Sequence, residues 1–64
     1  MDCAHTVQII GVGAEGWADN FDSTVDAHVD VQDDGDVFVH SYSKTAHQMV
    51  IDAAQVSGFT TQTG

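Results

Sequence analysis

Positive charge is almost missing from this chain: Lys44 is the only lysine or arginine among 64 residues, against ten acidic side chains, for a formal charge of −9 with histidine neutral. Holding a phosphate backbone requires Lys and Arg, so direct binding to nucleic acid is excluded. Attraction to an anionic membrane surface is excluded on the same grounds. Cysteine is nearly absent too. Cys3 alone cannot close an intramolecular disulfide, and no Cys/His set of zinc-finger spacing replaces one. No apolar run approaches the roughly 20 residues of a membrane span. Between Met1 and His5 no basic region precedes an apolar stretch, so no secretory leader is read and a whole cytoplasmic gene product is expected.

What is present is patterned. With 42% hydrophobic residues the chain is globular rather than disordered, and residues 1–64 read as one acidic α+β domain. A domain of this size buries only about 60% of the surface its unfolded chain exposes, so its core is thin and a homodimer is an expectation. Ala4 to Val12 is rich in β-branched residues and reads as a strand. Glycines 11, 13 and 16 then break it, and Ala14 to Ser23, with Trp17 and Phe21 four apart, reads as a loop or a short helix. Thr24 to Gln32 alternates strictly, with Val25, Ala27, Val29 and Val31 on one side and Asp26, His28 and Asp30 on the other. Asp34-Gly35 suits the centre of a type I′ turn. Val37 to Ser43 is the returning strand, and a two-residue turn sets Val31 opposite Phe38, Val29 opposite His40 and Ala27 opposite Tyr42.

Thr45-x-x-Gln48 fits a capping box. Ala46, Met49, Val50, Ala53 and Val56 follow at helical spacing, with Gly58 as the C-terminal cap, so a helix is predicted from Ala46 to about Ser57. Phe59 to Gly64 is expected to be a frayed polar tail with Phe59 as its anchor. The predicted fold is a three-stranded, mostly antiparallel sheet, with one C-terminal helix on one face, a short helix after strand 1, and the acidic side chains on the opposite face.

Several local patterns invite a chemical reading. Gly11-Val12-Gly13-Ala14-Glu15-Gly16 is a G-x-G-x-x-G after a strand, but a dinucleotide site needs a long helix and several parallel strands, for which the chain has no room. Asp30, Asp33, Asp34, Gly35 and Asp36 resemble a calcium loop, yet the position that closes an EF-hand is Ser41 rather than Glu. His5, His28, His40 and His47 do not converge on the predicted pattern, where His47 falls on the outer side of the helix. Cys3 with His5 is a two-ligand fragment. No metal or cofactor is therefore expected. Ser41, Ser43, Cys3, Asp26 and His28 include the residue types of nucleophilic catalysis, but no motif places a nucleophile on a strained turn, so no enzymatic activity is expected.

The acids remain. Asp26 and Asp30 on the outer strand face, Asp33, Asp34 and Asp36 at the hairpin tip, and Glu15, Asp19 and Asp22 in the preceding segment form two neighbouring groups. Same-face positions on a strand are ~6.6–6.8 Å apart, comparable with the spacing of successive phosphates. A row of carboxylates can thus occupy Lys and Arg sites built for a phosphate backbone. Trp17, Phe21 and Tyr42 are candidate aromatic anchors. In size, charge and compactness the chain resembles the nucleic-acid-mimicking inhibitors of phages and mobile elements, especially the anti-CRISPR proteins that act on type I surveillance complexes. The resemblance implies a basic nucleic-acid-binding partner, such as a subunit of the type I CRISPR Cascade, and action in the host cytoplasm. Two other readings stand beside it: a halophile's structural or adaptor protein whose acidity serves solvation, and a small metal or ligand carrier.

Overall fold

The computed structural model describes residues 5–24 and 27–63, with side chains omitted for 20–24. The element order is β1 (His5–Ile10), α1 (Ala14–Thr24), β2 (Ala27–Val31), β3 (Val37–Ser41), α2 (Lys44–Val56) and β4 (Thr60–Thr63). The sheet has four strands in the order β2-β3-β1-β4, and every neighbouring pair is antiparallel. Each helix therefore joins two strands that have a third strand between them, the split-βαβ or ferredoxin-like connection pattern.

Both helices lie on one face. Strand alternation sends Val7 and Ile9 of β1 and Val37 and Val39 of β3 inward, all fully buried. α1 covers them from the β2–β3 side with Ala14 and Ala18, and α2 covers the β1, β3 and β4 side with Val50 and Ala54. These contacts are mostly alanine and valine. Small side chains let two helices sit close to a sheet that has only about five residues per strand.

Three sequence expectations are corrected here. The sheet has a fourth strand: Thr60–Thr63 is no frayed tail but pairs with β1, Ile10 with Thr60 through Val7 with Thr63. A Schellman motif delivers it. Gly58 has φ +90° and donates its N–H to the Gln55 carbonyl at 3.1 Å, while Phe59 N–H donates to the Ala54 carbonyl at 2.9 Å. This turn starts the chain back along β1. Second, the segment after strand 1 is a full 11-residue helix. Third, α2 begins two residues earlier than a Thr45 capping box requires. Ser43 is the N-cap, its Oγ accepting the Ala46 N–H at 3.1 Å.

The β2–β3 register also differs by one residue from that of a two-residue turn. Gly35 N–H donates to the Gln32 carbonyl at 3.1 Å, Gln32 N–H donates to the Asp36 carbonyl at 2.9 Å, and Gly35 has φ +91°. This is a type I turn closed by a glycine bulge, a three-residue loop of Asp33, Asp34 and Gly35. Type I′ would require Asp34 at positive φ, and no described residue other than glycine adopts it. The extra loop residue pairs Val31 with Val37, Val29 with Val39 and Ala27 with Ser41, so valine meets valine on the core side. Phe38 and His40 then belong to the other face, as the period of two demands.

Candidate functional site

The topology gathers chemistry at one pole and on one face. The C-terminal end of β1, the β2–β3 hairpin, the start of α1 and the end of α2 all meet at one end of the molecule. Glu15 and Asp19 are exposed on α1, four positions apart and so on one helical face. Asp33 and Asp34 are exposed at the hairpin tip. Asp34, and the half-buried Asp36 beside the tip, are fixed by the backbone and by a neighbour. Asp34 Oδ1 accepts the Asp36 N–H at 3.0 Å, and Asp36 Oδ2 accepts the amide of Gln8 at 3.1 Å. Glu15 also sits in the first turn of α1, where the helix dipole favours a carboxylate. The last turn of α2 carries no basic residue, so its carbonyl end adds to the negative potential there. Three valines stand among these acids: Val12 is wholly exposed, Val56 89% and Val31 52%. Lys44 lies in the first turn of α2, at the opposite pole.

The sheet face away from the helices is mixed rather than acidic, a correction to the sequence expectation. It presents Thr6, Gln8 and Ile10 of β1, His28 and Asp30 of β2, Phe38 and His40 of β3, and Thr60 and Gln62 of β4. His28 and His40 are directly paired, their rings stacked at 4.6 Å with 19° between planes. Phe38 continues the row 6.5 Å from His40. The Nδ1 of His40 is 3.2 Å from the Thr6 hydroxyl, and its Nε2 is 3.9 Å from Asp30 Oδ2. Asp30 therefore has an imidazole beside it, whereas Asp33 and Asp34 face solvent.

Of the other residues singled out from sequence, Asp26 lies outside the described residues. Asp22 and Phe21 fall in α1, in the part without described side chains. Trp17 is half-buried, its ring 5.7 Å from that of Phe59, so most of its area serves the core. Tyr42 is half-buried between β3 and α2. The G-x-G-x-x-G run forms the β1–α1 turn and the first turn of α1, beside a sheet whose neighbouring strands are all antiparallel, so it lacks the parallel strands of a dinucleotide site. Gly11 is needed for packing, since a Cβ there would come within 2.7 Å of the Phe59 ring.

The histidines meet in two pairs, contrary to the expectation that they stay apart. Besides the His28–His40 stack, His5 of β1 and His47 of α2 have ring centres 5.4 Å apart, tilted by 39°. His47 thus faces the sheet rather than outward. Burial, with the neighbouring His5 adding to it, holds the His47 imidazole below its ordinary value. No three His, Cys, Asp or Glu side chains among the described residues form a group able to hold a metal ion. Among those residues no helix is long and apolar enough to cross a membrane.

No known family matches this sequence, and neither the curated proteins nor the solved structures yield a match.

Proposed function

We propose that the chain is an acidic interaction protein that presents phosphate-like carboxylates to a basic nucleic-acid-binding protein and blocks its nucleic-acid surface. The observation that carries this reading is the separation of charge. Glu15, Asp33, Asp34 and Asp36 share one pole with three exposed valines, and the lone cation, Lys44, is at the other. An ordinary soluble surface intersperses both signs. Carboxylates flanking apolar side chains give a partner long-range steering together with area to bury. Asp34 and Asp36 are held in place by hydrogen bonds, so less side-chain freedom is lost on docking. Asp30 lies on the neighbouring open face, and Asp19 lengthens the acidic edge along α1. Asp22, in the last turn of α1, lies away from this pole, and Asp26 is outside the described residues, so the proposal does not rest on either. A type I CRISPR surveillance complex is a partner of the required chemistry, with an extended basic groove, and inhibiting it makes the chain an anti-CRISPR protein. The proposed role involves no catalysis.

The test is binding to a purified basic nucleic-acid-binding complex at low and high salt, with duplex DNA as competitor. The proposal expects complex formation that salt weakens and DNA displaces, and loss of both binding and inhibition in Asp33→Lys/Asp34→Lys with the circular dichroism spectrum unchanged. Full inhibition by that folded double variant overturns it.

A further inference from the structure

β2 and β4 are the outermost strands of the sheet, and they differ in charge. β2 carries His28 and Asp30, and the inner strands carry His5 and His40, but Thr60-Thr61-Gln62-Thr63 has no ionisable side chain. Sheet edges are ordinarily guarded by lysine, proline or a bulge. β4 has no lysine or proline, and its pairing with β1 runs without a break. The bond from Gln32 N–H to the Asp36 carbonyl shows which of its backbone groups point outward. Bonded and non-bonded pairs alternate along antiparallel strands. Carried through the register, the alternation makes Asp30–Phe38, Ile9–Val37, Gln8–Gln62 and Ile10–Thr60 bonded pairs. Thr60 and Gln62 are thus turned to β1, and the N–H and C=O groups of Thr61 and Thr63 face the outer side. Phe59 N–H, also on that side, already donates to the Ala54 carbonyl at 2.9 Å.

A second observation concerns the helix above this edge. Gln55 Nε2 donates to the Thr61 hydroxyl at 3.4 Å, so the side of α2 that carries Gln55 is turned to β4. Lys44, Gln48 and Ile51 lie on the same side, at successive spacings of four, three and four residues up to Gln55. The only cation of the chain therefore stands on the side of α2 nearest the uncharged edge, at the start of the helix. The end of α2 is a carbonyl terminus with no basic residue in its last turn, and carries partial negative charge. Two such surfaces are complementary when they run antiparallel.

We propose that the outer edge of β4 pairs antiparallel with β4 of a second copy of this chain, about a two-fold axis that sets Gln62 opposite Gln62. Thr61 of each copy then exchanges both backbone bonds with Thr63 of the other. A register centred on Thr61 would instead call on Phe59 N–H, which is taken. The two sheets become one, with all helices on the same face, and Lys44 of each copy is turned toward the carbonyl end of α2 in the other. The acidic poles point in opposite directions, so the −9 charge of each chain opposes this arrangement less than any side-by-side one with the poles together. A second copy suits β4 better than a basic segment of another protein does, because the strand offers Lys or Arg no carboxylate. Association also relieves the thin core of a domain this small.

The experiment is sedimentation equilibrium of the untagged full chain over a concentration series, at low and at molar salt. Wild type is expected to approach twice its 6.8 kDa mass, and more readily as salt screens the repulsion between acidic chains. Hydrogen exchange at the Thr61 and Thr63 amides should slow as concentration rises. Thr61→Pro removes an outward N–H without touching a bond to β1, and should weaken the dimer by at least ~10-fold, since the bond is lost twice. Gln62→Glu sets two carboxylates directly opposite each other and should weaken it by ~5-fold. Thr45→Glu, the same added charge on another side of α2, should associate as wild type does. A wild type that stays monomeric at millimolar concentration in molar salt, or a dimer unchanged in folded Thr61→Pro and Gln62→Glu, overturns the proposal. Should Thr61→Pro lose its fold, Gln62→Glu against Thr45→Glu decides. Because β4 contains none of the acidic-pole residues, failure here leaves the partner-binding result untouched, and the reverse also holds.

Discussion

Replacing Gly58 by alanine tests the turn that creates β4. Gly58 holds φ +90° in the Schellman motif, and a Cβ built there meets nothing within 4 Å. The cost is therefore conformational alone, ~1–2 kcal/mol for an L-residue forced into the left-handed region. Gly16 is the matching control. It also has open space around its Cβ position, but it lies inside α1 with no positive φ. Alanine there should add ~0.5–1 kcal/mol by reducing the entropy lost on folding. The same chemical change is thus expected to have opposite signs at the two sites, with a total difference of ~1.5–3 kcal/mol. In a domain of this size 1 kcal/mol moves the melting temperature by roughly 4–8 °C. Gly58→Ala should melt several degrees below wild type and Gly16→Ala a few degrees above it, followed by far-ultraviolet circular dichroism with urea titration as a check on the slope. If Gly58→Ala is as stable as wild type, or if both variants shift together, the left-handed turn is not what holds the chain between α2 and β4.

Ile9→Ala removes the largest fully buried side chain and should cost ~2–5 kcal/mol, enough to unfold much of so small a domain at room temperature by urea titration. Ending the chain at Phe59 strips β1 of its β4 partner and exposes its Ile9–Ile10 edge, so the truncated protein should be less stable and should elute as larger species in size-exclusion chromatography. The pH dependence has a fixed sign. His47 binds its proton less readily folded than unfolded, so its contribution is fully present above the unfolded value of 6.5 and is lost as pH falls through the lower folded value. Stability measured by urea titration should decline below pH 6.5, and His47→Asn should remove that part of the decline.

The hairpin, β1 and α2 were legible because alternation and helical spacing of apolar residues survive any choice of turn. The Gly58 cap was legible too, since glycine marks the left-handed position on its own. The register was not. Asp34-Gly35 satisfies a type I′ turn by composition, and the hydrogen bonds from Gly35 to Gln32 and from Gln32 to Asp36 reveal the longer loop. That single residue moved Phe38 and His40 to the open face. β4 is not legible for a different reason: Thr60-Thr61-Gln62-Thr63 is an edge strand with little burial, so it carries no apolar alternation to read. Its three threonines, β-branched, were the available hint. The His5–His47 contact joins β1 to α2 across 42 positions of sequence, a distance no local spacing rule spans.

The pairing of Thr63 with Val7 sets the two ends of the described chain on adjacent strands, both running out at the end opposite the hairpin tip. A fusion partner or surface tether attached at either terminus therefore points away from Asp33 and Asp34 and leaves that pole open to solution. The same adjacency allows the chain to be closed from Thr63 to His5 by a short linker and reopened elsewhere. Opening it between Asp33 and Asp34 keeps every strand pairing while splitting the acidic tip into two free ends, so the sheet's stability and the tip's charge geometry can be varied independently of each other.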